Sequence, residues 1–127
     1  MILQGDFFTI SNLEVAGPDI KADLMINAGH KIFEGHFPGQ PVVPGVCMMQ
    51  MVKEVIEVVT GKKTDLLKAN EMKFLAIIDP LKNNSISATL KYSIEEHGNM
   101  VVSATFFKNE LTHYKFKGQF AFQSLHS

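Results

Sequence analysis

Three prolines and two glycines crowd the segment Gly35-His36-Phe37-Pro38-Gly39-Gln40-Pro41-Val42-Val43-Pro44-Gly45-Val46, which then runs into a long apolar stretch. Each of Pro38, Pro41 and Pro44 fixes φ and removes a backbone donor, so this segment is stiff and ill-suited to a sheet ladder. Gly39 and Gly45 permit a tight bend or a close backbone approach. The stretch at 45–59 carries Lys53, Glu54 and Glu57 as its only charges. Its length favours a helix over a strand, and Gly61 supplies a C-terminal stop. A helix so nearly apolar on all sides is expected to be buried on nearly all sides. His36 is then held beside a helix N-terminus, where free N–H groups and partial positive charge suit a polarised carbonyl oxygen.

The remaining sequence reads as strands. Residues 7–15 are β-compatible and end at the turn cluster Ala16-Gly17-Pro18-Asp19. Residues 20–26 alternate apolar and polar as a half-buried strand does. Further strand-like runs cover 66–78, 85–95, 100–108 and 111–122, separated by Asp79-Pro80, Glu96-His97-Gly98-Asn99 and Lys108-Asn109-Glu110. Spacers of the last two kinds have hairpin length. Two strands, one buried helix and four strands in meander order make an α+β domain spanning 1–127.

Composition narrows the function. The formal net charge is −1, which gives no reason to expect nucleic-acid or anionic-membrane binding. All basic residues are lysine, so bidentate guanidinium recognition of phosphate is excluded. The single cysteine, Cys47, rules out an internal disulfide and agrees with a reducing, cytoplasmic setting. No apolar run reaches the roughly 20 residues that span a bilayer. His30, His97, His113 and His126 are scattered without metal-ligand spacing, and no metal or cofactor is expected.

The loop and helix start resemble the signature of the 3-hydroxyacyl-acyl carrier protein dehydratases of the hotdog fold. That pattern is His-Phe-Pro-Gly-x-Pro-x-x-Pro-Gly-Val, three variable residues, then a catalytic acid. The resemblance implies an antiparallel sheet wrapped around one central helix. It implies subunits joined edge to edge, with each active site at the interface of a homodimer, or of a heterodimer with a related hotdog chain, and higher oligomers open. It further implies an acyl carrier protein or acyl-CoA thioester as substrate, His36 as base and the Gly45 amide as the group polarising the thioester. Val46, Phe37, Pro44 and Met49 would contact substrate. One position departs: where the family has glutamate or aspartate, this chain has Gln50, and Glu54 stands where glutamine usually follows.

Forming a trans-2-enoyl thioester needs a base at the α-carbon, an acid for the departing hydroxyl and donors for the enolate-like oxygen. Imidazole titrates near neutral pH, which suits His36 to the first task, although it could equally brace the loop. Gln50 has the shape of glutamate but no proton to give. Glu54 shares its helix face, one turn further on. It either replaces the acid or is a solvated or interface charge beside Lys53. Cys47 at the helix start reads as a small buried residue rather than a nucleophile. Met48, Met49, Met51 and Met72, with Phe33, Phe37 and Phe74, are either core or the lining of an acyl tunnel. Lys62, Lys63 and Lys68 form a loose basic cluster, a solvated face or a match for an acidic carrier protein. Hydrolysis of the thioester by a Gln50-held water, and acyl binding without catalysis, are the competing functions.

Overall fold

The computed structural model describes residues 2–34 and 41–123. Six antiparallel strands form one sheet: β1 (Phe8–Ala16), β2 (Asp19–Ile26), β3 (Thr64–Phe74), β4 (Ser85–Ile94), β5 (Met100–Lys108) and β6 (Leu111–Phe122). One helix, α1 (Gly45–Thr60), lies between β2 and β3 in the chain, and a 3-10 turn, Lys31–Phe33, precedes it. The inward-facing residues of β2, β4, β5 and β6 alternate with outward polar ones, so one face of the sheet is dry. Cys47, Met48, Met51, Val52, Val55 and Ile56 of α1 share the buried core with that face, including Leu24, Ile86, Phe106 and Phe116. This is the expected hotdog arrangement.

Two features differ from the reading of the sequence. The sheet order is β1-β2-β4-β5-β6-β3, so only β4, β5 and β6 form a meander. β3 instead pairs with β6 at the far edge, from Thr64↔Phe122 to Phe74↔Tyr114, while β4 pairs with β2. The strand expected over 66–78 starts and stops earlier, because residues 75–84 form the connection between the edge strand and β4 rather than a hairpin. Ile78 anchors it by accepting the Val43 N–H at 2.9 Å. Alternation shows where strands are, and it does not show which neighbour each one takes.

The helix also leaves one stripe uncovered. Val46 is 57% exposed, and Met49, Gln50, Lys53 and Glu57 along the same face are only half-buried. The expectation of burial on nearly all sides therefore fails for the single chain. Edge strand β3 repeats the pattern: Leu67, Met72 and Phe74 are exposed, as are Leu75 and Ile77 just beyond it. Pairing with β6 satisfies one edge of β3 and leaves the other open.

Helix ends follow the sequence signals. Pro44 is the N-cap and its side chain accepts no capping bond, while Gly61 ends α1 at φ 71 with its N–H on Glu57 O at 2.9 Å. Glu57 then ties the helix to β3, its Oε2 accepting from Thr64 N at 2.6 Å and from Lys53 Nζ at 3.1 Å.

Gly118 of β6 faces inward where no side chain fits. A Cβ there would lie 2.5 Å from Phe116 Cζ and 2.7 Å from the Lys68 carbonyl oxygen. Backbone is the harder obstacle, so Gly118→Ala is expected to destabilise the fold by roughly 1–3 kcal/mol in urea unfolding.

Candidate functional site

Pro41, Val43 and Pro44 bring the chain to the start of α1. There the Cys47 and Met48 amides both turn back to Pro44 O, at 3.0 and 3.2 Å. The Gly45 and Val46 amides donate to nothing among the described residues. These are the orphan donors of a helix N-terminus, where an anionic oxygen is favoured. A Cβ at Gly45 would meet Cε1 and Cζ of Phe74 at 2.8 Å, so any larger residue there would have to push that ring aside. Phe74 thus lies across the helix start. Beside it is a cleft of about 270 Å³ lined by Val42, Val43, Gly45, Met48, Phe74 and Ile77, among others. His36 and Phe37, which the sequence places next to this point, lie outside the described residues.

Gln50 and Glu54 meet one helical turn apart, Gln50 Nε2 donating to Glu54 Oε2 at 2.9 Å. Glu54 is not a solvated charge, being only 4% exposed. Its carboxylate accepts Leu3 N–H on both oxygens, at 3.0 and 2.9 Å, and Gln4 N–H on Oε1 at 2.7 Å. Both oxygens of this carboxylate are therefore taken up by backbone and amide donors, which hold it in place. Here it clamps the N-terminal segment onto α1. A charge amid Val52, Val55 and Ile56 was the sequence signal for such burial, but its partners, 50 or more residues away, left no trace there.

Other expected site residues separate. Met51 and Phe33 are core, with Phe33 stacked against Phe7 at 5.5 Å. Met48 and Phe74 reach the cleft, whereas Met49 and Val46 lie on the uncovered helix stripe. Cys47 is fully buried, which pushes its thiol up and agrees with a packing role. Lys62 and Lys63 line a separate cleft of about 350 Å³ with Glu54 and Glu57, at the other end of the helix, and Lys68 is not part of it.

The sequence reading missed His113 and Tyr114. A register shift between β5 and β6 at Phe106/Phe107 breaks alternation, so these consecutive residues are both buried. Tyr114 stacks on Phe74 at 5.2 Å and on Phe106 at 5.4 Å. His113 Nδ1 donates to Ala76 O at 3.1 Å. Desolvation pushes the Tyr114 phenol up to about 12.

Removing the Glu54 clamp, in Glu54→Ala, is expected to cost about 3 kcal/mol of stability, since several buried donors lose their acceptor. Protease cleavage near the N-terminus should accelerate with it. Tyr114 has a folded pKa above its unfolded value, so its neutral form stabilises the fold fully below pH 10 and loses that contribution as pH rises toward 12. Chemical unfolding should show a loss of roughly 2–3 kcal/mol over that interval, absent in Tyr114→Phe.

A family model described as ApeI-like, ApeI dehydratase, matches residues 12–119. The chain is 26% identical over 102 residues to the 3-hydroxyacyl-[acyl-carrier-protein] dehydratase FabZ of Blochmanniella pennsylvanica, and equally to that of Klebsiella pneumoniae. Each alignment covers 80% of this chain and 63% of the relative, so the chain spans less than two thirds of their length. Among solved structures, the dehydratase heterocomplex ApeI:P from Xenorhabdus doucetiae superposes with a TM-score of 0.73 at 19% identity. That likeness covers 88% of this chain and 96% of the other, and it shows the fold. With the match running from β1 into β6, the chain belongs to the ApeI-like dehydratase family.

Proposed function

We propose that this chain is a 3-hydroxyacyl-thioester dehydratase subunit that carries the base and the oxyanion donors but not the acid. The observation that carries this reading is the pair of amides at Gly45 and Val46, without a partner among the described residues, a few positions after His36 in the sequence and beside an apolar cleft. In it, His36 removes the α-proton, the Gly45 amide stabilises the developing enolate oxygen, and the hydroxyl leaves as water. Val46, Pro44, Met49 and Phe37 contribute contacts around the thioester. The substrate is a thioester of acyl carrier protein, the carrier in the FabZ relatives' names, or of coenzyme A.

Neither helical candidate provides the departing hydroxyl with a proton: Gln50 has none, and Glu54 is engaged by backbone donors. The acid therefore comes from a second, related hotdog chain. The open edge of β3, with Leu67, Met72 and Phe74 exposed, and the mixed polar and apolar stripe of α1 are surfaces such a chain would cover. A heterocomplex among the structural neighbours supports that assembly.

Turnover followed at the ultraviolet band of the enoyl product tests this reading. The chain alone should be slow, and Gln50→Glu should accelerate it by about 10²-fold or more, the usual worth of a general acid. His36→Ala should abolish activity in either background. Unchanged turnover in Gln50→Glu, or full activity in His36→Ala, would contradict the assignment. Release of free thiol without enoyl product would identify a thioesterase instead.

A further inference from the structure

Two buried polar atoms have no hydrogen-bond partner among the described residues: Nε2 of His113 and the hydroxyl of Tyr114. His113 is 1% exposed and Tyr114 fully buried. An unpaired buried donor or acceptor costs on the order of 1–3 kcal/mol, so one such atom calls for an explanation and two on consecutive residues more so. Their chemistry is complementary. The Ala76 carbonyl can only accept, so His113 Nδ1 carries a proton, and in an uncharged ring Nε2 is then left as an acceptor. Tyr114, whose phenol stays protonated, offers an O–H donor. An alcohol is the group that needs both.

Their location matches that need. Phe74, which stacks on Tyr114, is also the ring lying against Gly45, and Ala76, which holds His113, lines the same cleft as Gly45 and Met48. The register shift between β5 and β6 turns both side chains to the inside behind that wall. Phe74 is itself 54% exposed and packs against both Tyr114 and Gly45, so a ligand would reach the pair by displacing its ring.

Resting on the dehydratase reading above, we infer that the His113–Tyr114 pair is the recognition point for the hydroxyl of a 3-hydroxyacyl ligand. Tyr114 donates to the hydroxyl oxygen and His113 Nε2 accepts its proton. The pair thereby holds the leaving group in a chain whose helix lacks the acid that would otherwise bind it.

The experiment uses two pantetheine amides in which nitrogen replaces the thioester sulfur, one bearing the 3-hydroxyl and one without it. The chain contains two tyrosines and no tryptophan, so carbon-13 labelling at tyrosine Cζ reports Tyr114 directly, assigned with Tyr92→Phe. The hydroxylated amide should shift the Tyr114 signal and bind about tenfold more tightly than the deoxy amide. In Tyr114→Phe that preference should fall to within about twofold, while thermal stability is equal to or above wild type because an unpaired hydroxyl has gone. Equal shifts from both amides, or a preference that survives in Tyr114→Phe, would overturn the inference while leaving the dehydratase reading intact. Binding of neither amide would overturn both.

Discussion

Seating the apolar face of α1 on the dry face of the sheet is the interaction from which the rest follows. Cys47, Met48, Met51, Val52, Val55 and Ile56 are all buried there, and full burial of a large apolar side chain contributes roughly 1.5–3 kcal/mol. That docking fixes the helix axis, and with it the position of the Gly45 and Val46 amides. It also fixes where Phe74 crosses the helix start and which stripe of α1 stays uncovered. The candidate site lies where the stiff proline segment delivers the chain to this seat, and the open edge of β3 lies beside it.

Gln50 and Glu54 lie one turn apart on α1, and their positions set what each can do. At position 54 the carboxylate is deep enough to be buried and is met by backbone N–H groups from Leu3 and Gln4. The charge has become a structural clamp, with Gln50 as its side-chain partner. Gln50, nearer the helix start, is an uncharged amide with no acidic proton to deliver. On the proposed reading, the chain keeps the architecture of a dehydratase subunit while a second chain supplies the acid.

Much of this was legible in the sequence. Proline spacing, the apolar run and Gly61 located α1 within a residue of its observed ends, and alternation located β5 and β6 at their observed limits. Local signals of this kind report local geometry. What they could not report was non-local: that β3 would pair with β6, that Glu54 would find partners near the N-terminus, and that a register shift would bury His113 beside Tyr114. Each depends on a contact between distant segments, which periodicity along one segment does not encode.

Exchange of the α-proton of a 3-hydroxyacyl thioester in deuterated water, read by mass spectrometry, tests the central claim most directly. A chain with a base and oxyanion donors but no acid should wash deuterium into the α-position faster than it forms enoyl product, and should lose that exchange in His36→Ala. No exchange in the native chain, or exchange that never outpaces elimination, would contradict the account.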